Sequence, residues 1–440
     1  MKTIALAFLA MAVAPGALGA GAAPSAPPLP SPLDLKGAIG YALDHNYAIL
    51  QAREAIRLQE GVVVQLRGRQ IPNLAAQGEW QRNSASISQF YPPSNGFWTF
   101  ELTATQTLFA GGGVVSAVRN AKLTRESAVA DLQTTIDTAL LDVRTKFYNV
   151  VLARDKIRVA EEDVRLYEHQ LDDTKNQFAS GTVSNFEVLR AKVFLANAQP
   201  NLITARNAYR IAIEQLRQSL GTPGSGPFPE VAGELDVEPA SYDADSALAS
   251  AHEHRPELRR LGKLQDAAAE SVTTARSALY PSLQAFGSYE WADFSFANPA
   301  FGSVNSNGWL FGLQSTWSIF DGRATYGKVR QAKSQLEQAR IAVSSEELEI
   351  DVEVRQAISS LQEAAELVTA SKQTIDQAAE ALRLAEAKFH AGSATQLDVL
   401  TSQVSLTQAK TDQLTANYNY LVALANVRKA IGLSDALVVP

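Results

Sequence analysis

Residues 178–189 read FASGTVSNFEVL, and residues 389–400 read FHAGSATQLDVL. Both stretches combine a glycine, a small or β-branched residue and an acidic-Val-Leu ending, and they stand 211 residues apart. The same spacing superposes residues 109–221 on residues 320–432 without a gap. Because this register holds over so long a stretch, chance is a poor explanation, and we conclude that the chain is an internal duplication.

The duplication divides the chain into two halves. Upstream of the long match the spacing becomes 209, so that His45 falls on His254 and Ile71 falls on Tyr280. We therefore predict a first structural repeat over 35–221 and a second over 245–432. The remaining predicted segments are a signal peptide (1–23), a proline-rich leader (24–34), a Pro/Gly-rich linker (222–244) and a C-terminal tail (433–440).

Each half predicts a helix, two strands, a very long helix and a shorter helix. The long segment 112–177 contains no proline, and at ~1.5 Å per residue it predicts a helix of about 100 Å. Its counterpart is 323–390, and the flanking helices are predicted over 47–70, 186–220, 256–280 and 397–432. Two short helices placed end to end roughly match one long helix. Pro200 should kink the helix that contains it, whereas its counterpart is Thr411.

Between the helices the apolar period changes from 3.6 to 2, which predicts two hairpins over 73–108 and 282–320. Their strands alternate apolar and polar residues, as Trp98, Phe100 and Leu102 alternate with threonines and a glutamate. The loops at the outer rim are predicted over 83–97 and 292–308. Four tryptophans near one end of their strands predict an aromatic girdle at a membrane interface: Trp80, Trp98, Trp291 and Trp309.

The composition excludes several functional classes. The chain has no Cys, and its two Met are Met1 and Met11 in the predicted signal peptide. Disulfide scaffolds, Cys-zinc sites, thiol nucleophiles and iron–sulfur clusters are therefore excluded. The net charge of −7 gives no indication of a basic face that could bind nucleic acid. After the signal peptide no run of 18 apolar residues occurs, so any membrane crossing must use β-strands.

Four amphipathic strands are too few to close a barrel, because about eight strands are the minimum. Open strand edges are not tolerated in lipid, so several chains must contribute to one barrel, and three copies give twelve strands. The alternative is a soluble sheet that packs its apolar face on a helix. The helices already have partners of their own, which favours the membrane interpretation.

These features resemble the TolC family of Gram-negative outer-membrane channel proteins. The resemblance covers about residues 33–433 and rests first on the two helical turns quoted above. Residues 255–258, Arg-Pro-Glu-Leu, resemble another recurrent family segment, and Leu220-Gly221 and Ile431-Gly432 close the halves as the family does. The implied fold class is an α+β membrane protein: a homotrimer with a twelve-stranded outer-membrane β-barrel, four strands per chain, continuing into a periplasmic α-helical barrel.

The resemblance also implies a function and partners. Family members are exit ducts for efflux or type I secretion, and their helical tips meet a periplasmic adaptor bound to an inner-membrane RND or ABC pump. The implied location is the outer membrane, extending into the periplasm. Residues expected to contact the adaptor at the tips are Gly181, Thr182, Val183, Gly392, Ser393 and Ala394.

A gate near the tips is predicted from the faces of the helices. Charged residues opposite the apolar face would form rings in a trimer, and inward carboxylates would select cations or pair with arginine when the tip is closed. A solvated outer face is the alternative for each position. The candidates are Asp172, Glu168, Asp376, Glu380 and Arg383.

No catalytic, cofactor or metal site is predicted. His252 and His254 are two apart and point to different sides of a helix, whereas a zinc pair would be four apart. Residues 111–113 are all glycine, but no Lys-Ser/Thr follows, so a phosphate-binding loop is not expected. Two further functions remain open, namely a soluble periplasmic coiled-coil structural protein and an autonomous diffusion porin.

Overall fold

The computed structural model describes residues 29–84, 94–222, 226–296 and 302–433. The predicted signal peptide lies outside the described residues, as do parts of the leader, the linker, the two outer loops and the C-terminal tail. Everything that follows concerns the described residues.

The described residues form eight α-helices, a short 3-10 helix at Gly68–Gln70 and four strands, arranged as two matching series. The first series is α1 Leu35–His45, α2 Tyr47–Arg67, β1 Asn73–Arg82, β2 Ser94–Ala110, α3 Gly113–Ala179 and α4 Asn185–Leu220. The second is α5 Ala244–His254, α6 Pro256–Ser277, β3 Ser282–Phe296, β4 Ser303–Thr316, α7 Ala324–His390 and α8 Gln396–Ala430. Helices α3 and α7 contain 67 residues each, which corresponds to about 100 Å.

Each repeat begins with an additional short helix that the sequence pattern did not reveal. The break between α1 and α2 falls at Asn46, whose side chain accepts hydrogen bonds from the backbone N–H groups of Ala48 and Ile49. The break between α5 and α6 falls at Arg255, which precedes a proline at the first helical position. Both signals are local: an asparagine N-cap and an X-Pro step end one helix and start the next.

The hydrophobic core lies at mid-height of the long helices. In the first repeat Val143, Phe147 and Val150 of α3 are buried against α1 and α4. In the second repeat Ile350 and Val354 of α7 belong to a core with α5 and α8. Within the described ranges, no helix is both long enough and apolar enough to cross a membrane.

The four strands form one antiparallel sheet in the order β1-β2-β3-β4. Trp80 pairs with Trp98 in the first hairpin, and Tyr289 pairs with Trp309 in the second. The central pairing joins the two repeats, with Leu102 opposite Tyr289. Within the described chain β1 and β4 therefore each have one edge without a strand partner.

The strands are longer than predicted. Strand β3 continues to Phe296 and β4 starts at Ser303, so most of the loop predicted over 292–308 is strand. Strand β2 likewise starts at Ser94, inside the loop predicted over 83–97. These segments were predicted as loops because they are rich in polar residues. In the structure, pairing with the neighbouring strand extends the strands despite this composition. A register shift between Thr107 and Phe109 also removes Leu108 from the predicted alternation.

Candidate functional site

The turn between α3 and α4 forms one predicted tip. Gly181 has φ of 77°, a left-handed conformation that favours glycine. Its N–H donates to the carbonyl oxygen of Phe178. The backbone N–H and the hydroxyl of Thr182 both donate to the carbonyl oxygen of Gln177, at 2.9 and 2.8 Å. The last carbonyls of α3 are thus satisfied by the turn itself.

The turn between α7 and α8 repeats this geometry. Gly392 has φ of 71°, and its N–H donates to the carbonyl oxygen of Phe389. The N–H and hydroxyl of Ser393 donate to the carbonyl oxygen of Lys388, at 2.9 and 3.2 Å. Val183 and Ala394 are half-buried, and the other four predicted tip residues are exposed. All six lie at the two helix reversals, and their contact with an adaptor stays a prediction.

The helices that leave the two tips start differently. Thr395 and Asp398 form a capping box: the Thr395 hydroxyl oxygen accepts from the backbone N–H of Asp398, and the Asp398 carboxylate accepts from the backbone N–H of Thr395. Ser184 stands at the same place in the first repeat but makes no capping hydrogen bond, and Glu187 instead forms an ion pair with Arg190. The two tips share a backbone path but not a capping scheme.

Two of the candidate gate carboxylates are paired on their own helix. Lys175 Nζ lies 2.9 Å from Asp172 Oδ1, and this hydrogen bond holds the pKa of the Asp172 carboxyl below its usual range. Arg383 donates to both oxygens of Glu380, at 2.6 and 2.8 Å, and lowers the pKa of Glu380 in the same way. Both pairs are solvent-exposed, and such pairs contribute little to stability.

Glu168 and Asp376 are also exposed, and no ion pair joins either of them to another described residue. The sequence analysis did not compare the charges of these residues with those of their counterparts 211 residues away. Asp172 corresponds to Arg383, Asp376 to Arg165 and Glu380 to His169. At two of these equivalent positions near the tip the repeats therefore carry opposite charges, and at the third a carboxylate is matched by a histidine.

The sheet has two chemically different faces. All four predicted girdle tryptophans lie on one face, because Trp80 pairs with Trp98 and the neighbouring rows place Trp291 and Trp309 on the same side. Trp80 and Trp309 are the most exposed, at 74% and 72%. Trp309 lies near the middle of β4 rather than at its end, because this strand begins earlier than predicted.

A fifth tryptophan lies at the opposite end of the sheet. Trp317 follows β4 directly, and its indole N–H donates to the carbonyl oxygen of Leu279 at 3.1 Å. It is 57% exposed, and Tyr280 and Phe320 at the same end of the sheet are 58% and 83% exposed. The sequence reasoning passed over it because only the four tryptophans at the other end were grouped.

No metal site forms among the described residues, since nowhere do three His, Asp or Glu side chains come together. His252 Nε2 lies 2.8 Å from Asp351 Oδ1, which links α5 to α7. His254 Nδ1 lies 3.0 Å from the carbonyl oxygen of Ser250 on its own helix. Each histidine thus has a separate structural partner.

Comparison with known proteins identifies the family. The family model for "Outer membrane efflux protein" matches residues 38–222 and again 247–433. TolC of Escherichia coli (strain K12) is 28% identical over 312 residues, which span 68% of this chain but only 62% of TolC. The cobalt-zinc-cadmium resistance protein CzcC of Cupriavidus metallidurans is 26% identical over 411 residues, 92% of each chain.

The fold is shared with solved channel structures. The outer membrane channel CmeC of Campylobacter jejuni superposes with a TM-score of 0.78 at 16% identity, covering 90% of this chain and 85% of CmeC. The predicted fold class is confirmed. The family model matches each repeat, one four-stranded sheet connects the helices of the two repeats, and the chain superposes on a solved outer membrane channel. The chain belongs to the outer membrane efflux protein family and is an outer-membrane protein that extends into the periplasm.

Proposed function

We propose that this chain is the outer-membrane exit duct of a tripartite efflux system or a type I secretion system. The observation that carries the proposal is a sheet with one apolar and one polar face, two open edges and a direct connection to helices of about 100 Å. A duct must cross the outer membrane and bridge the periplasm. The sheet is suited to the first task and the long helices to the second.

The functional unit is a homotrimer. Open edges are not tolerated in lipid, and four strands cannot close on themselves. The free edge of β4 of one chain pairs with the free edge of β1 of the next, and three chains close a barrel of twelve strands. The apolar face, which includes the four girdle tryptophans, contacts outer-membrane lipid, and the polar face lines the pore.

The helical tips dock to a periplasmic adaptor that is bound to an inner-membrane RND or ABC pump. Support comes from the two turns, because the exposed residues of both tips lie on backbone whose hydrogen bonds are made within the turn. A surface that needs no further hydrogen bonds to hold its shape is suited to docking. The duct performs no catalysis and uses no cofactor, because energy is supplied at the inner membrane.

A strain that lacks this gene tests the proposal directly. We expect it to become sensitive to drugs, dyes or metal salts, or to lose a secreted protein, and the complementing protein should fractionate with the outer membrane as a trimer. Deletion of the adaptor genes should reproduce the defect. A soluble, monomeric mature chain would contradict the duct, and export that persists without any adaptor would favour the autonomous porin.

The candidate gate is tested by charge reversal at Glu380. In a trimer Glu380→Lys adds three cations and removes the bidentate partner of Arg383, so cation selectivity in planar bilayers should fall. Glu337→Lys on the same helix is the matched control, because Glu337 pairs with Arg340 in the same i,i+3 manner but far from the tip. Equal effects of both variants would remove Glu380 from the gate.

A further inference from the structure

Positive charge is concentrated where the helices meet the sheet. On the helical side of the four strands, the ten residues next to each strand together contain five basic residues and one acidic residue, although the whole chain has a net charge of −7. The acidic residue, Asp321, accepts hydrogen bonds from the N–H and the hydroxyl of Thr325, at 2.8 and 2.5 Å. The five basic residues are exposed and are called the basic belt below: Arg67, Arg69, Arg119, Arg276 and Arg323.

Most of the basic belt has no counter-charge in its own chain. Arg119 lies 3.9 Å from Glu270 of α6, but within the described residues no ion pair joins the other four arginines to a carboxylate. The helix dipole favours Arg67 and Arg276, which lie in the last turns of α2 and α6. The same effect opposes Arg323, because this residue is the N-cap of α7 and lies at the positive end of the helix.

The backbone of Arg323 is also unfavourable. Its φ is 69°, and it is the only residue other than glycine with a positive φ among the described residues. A side chain with a Cβ is strained in this left-handed conformation. The counterpart in the first repeat is Gly112, which adopts φ of 81° without such strain. An arginine at this place therefore opposes both the helix dipole and the backbone, and its own chain offers no partner in return.

A close contact inside the chain shows what surrounds this position. The start of α3 packs on the end of α6, where a Cβ on Gly113 would come within 2.8 Å of the Ser277 Cβ. The residues beside this contact are Gly112 on α3 and Ala278 at the end of α6, and both are uncharged. Within one chain, this junction therefore brings no charges together.

The equivalent junction between copies is different. Within the described chain α2 does not pack along α7, so in the proposed trimer the start of α7 meets the end of α2 of the next copy. The counterparts of Gly112 and Ala278 are Arg323 and Arg69. Two neutral residues are thus replaced by two arginines at the contact between copies. Like charges repel at such a distance unless an anion lies between them.

An exposed apolar collar lies between the basic belt and the barrel wall. Trp317 continues the alternation of Trp309 on the lipid face of β4. These two residues are eight apart, which at ~3.3 Å per residue and a strand tilt of ~40° corresponds to about 20 Å of height, close to the apolar band of an outer-membrane barrel. The collar consists of residues that are 54–83% exposed: Leu279, Tyr280, Trp317 and Phe320.

The collar and the basic belt together match an anionic lipid. Tryptophan and tyrosine settle at the level of lipid headgroups, and arginine binds phosphate oxygens through its planar fork of N–H donors. Arg276 and Arg323 each stand three residues from a collar residue, namely Leu279 and Phe320. An acidic polypeptide would also be attracted by the basic belt, but it would leave uncovered the apolar collar that continues the lipid face.

We propose that Arg323 of one chain and Arg69 of the next hold the phosphate of an anionic phospholipid in the periplasmic leaflet of the outer membrane, while the acyl chains lie against the collar. This inference rests on the proposed trimeric duct and adds a lipid partner to it. The trimer has three such sites, one at each contact between copies. The bound phosphate removes the repulsion between the two arginines, so the lipid stabilises the trimer.

Lipid titration of the trimer, purified in a nonionic detergent and freed of lipid, tests the proposal. Native mass spectrometry counts the bound molecules, and we expect three of phosphatidylglycerol, bound more tightly than phosphatidylcholine. Arg69→Gln with Arg323→Gln should raise the dissociation constant for phosphatidylglycerol about thirtyfold, at ~1 kcal/mol for each arginine. The control is Arg355→Gln with Lys372→Gln, which removes two exposed cations of α7 far from the sheet and should change nothing.

The single variant Arg323→Gly separates lipid binding from folding. It restores the residue of the first repeat, so without lipid its thermal midpoint should rise as the backbone strain is relieved. Phosphatidylglycerol should then raise the midpoint of the parent trimer more than that of the variant. A purely structural role of Arg323 predicts the opposite, namely a lower midpoint without lipid and an unchanged response to lipid.

Three results would overturn the proposal. They are equal affinity of the parent trimer for the two lipids, equal losses in the two double variants, and stabilisation by inorganic phosphate that matches that by phosphatidylglycerol. The last result would show that the arginines take a soluble anion rather than a lipid. A parent protein that is a monomer in detergent and in bilayers would instead contradict the proposed duct.

Discussion

The first and second repeats fasten the same helix junction by different chemistry. Asn46 lies between α1 and α2, and its side-chain amide donates to the carbonyl oxygen of Ser219 at 2.7 Å. Arg255 lies between α5 and α6, and its guanidinium donates to the carbonyl oxygen of Ala430 at 3.2 Å. Ser219 and Ala430 are repeat counterparts, so each residue ties the junction to the end of the last helix in its repeat.

The difference lies in the charge that each solution buries. Asn46 is neutral, so its hydrogen bonds to backbone groups are sufficient. The Arg255 side chain is only 5% exposed, and its buried positive charge needs carboxylate partners. Glu257 and Glu353 provide them, at 3.1 and 2.6 Å, and they raise the pKa of Arg255 despite its burial. The two repeats thus keep the same contact but make it with different side-chain networks. We expect mutations in these two networks to change the stability by very different amounts.

The largest effect is expected for Arg255→Met. Loss of the guanidinium leaves the largely buried Glu257 without its ion-pair partner, whereas Glu353 keeps Lys429 at 3.7 Å, and breaking a buried pair in this way costs about 3–5 kcal/mol. The measurement is the free energy of unfolding in denaturant, followed by circular dichroism. Asn46→Ala is the control and should cost about 1–2 kcal/mol, since a neutral cap and one neutral hydrogen bond to Ser219 are lost. Equal losses at both positions would remove the distinction between the junctions.

The second prediction compares glycines at helix ends. Gly221 has φ of 73°, and a Cβ there would collide with the carbonyl group of His45. Gly392 has φ of 71° but faces open space. Gly392→Ala should therefore cost about 1–2 kcal/mol from backbone strain, and Gly221→Ala about 2–5 kcal/mol because overpacking is added. The denaturation midpoints of the two variants provide the test, and the opposite order would refute it.

The third prediction concerns the caps at the two tips. Thr395→Ala removes the hydroxyl that accepts from the N–H of Asp398 and should cost about 1 kcal/mol of helix stability. Ser184→Ala at the equivalent position should be nearly neutral, because Ser184 makes no capping bond. Hydrogen exchange of the first turns of α4 and α8, followed by mass spectrometry, measures both. Faster exchange in the Ser184 variant alone would show that the caps were assigned the wrong way round.

The smallest effect is a pH dependence of the helix cap at the second tip. Hydrogen bonds from Thr395 hold the pKa of Asp398 below its ordinary value of 3.8. A carboxyl with a lowered pKa in the folded state stabilises that state above the ordinary value, and the contribution is lost as the pH falls through the folded-state pKa. We expect exchange at residues 395–399, corrected for intrinsic rates, to accelerate below about pH 4. Thr395→Ala should weaken that dependence, because the hydroxyl donor is lost while the backbone N–H of residue 395 still donates to Asp398.

Periodicity and duplication predicted most of the fold. The long helices were placed to within a few residues because more than sixty residues without a proline favour one continuous helix, and the hairpins followed from strict alternation near Trp98 and Leu102. Strand ends were misjudged because residues such as Asp293 and Asn305 pair across the sheet despite their polar character. Pairing with a distant strand is a tertiary effect that a local pattern does not contain.

Less of the candidate site followed from the sequence. The tip glycines were recognisable because a tight helix reversal needs a left-handed residue. The pairing of Asp172 with Lys175 and of Glu380 with Arg383 was not noticed, although an i,i+3 spacing makes such pairs possible on any helix. Arg255 was valued only as part of a recurrent segment, because burial of its guanidinium depends on α7 and α8.

The unpaired edges of β1 and β4 also have a consequence for biogenesis. In the proposed trimer, a subunit that has not yet met its neighbours presents two rows of free backbone donors and acceptors, which can join any extended polypeptide nearby. Under that proposal folding and assembly are coupled and depend on concentration. We expect the unassembled chain to need a chaperone that shields its strands, and overproduction to lead to aggregates before it leads to more trimers.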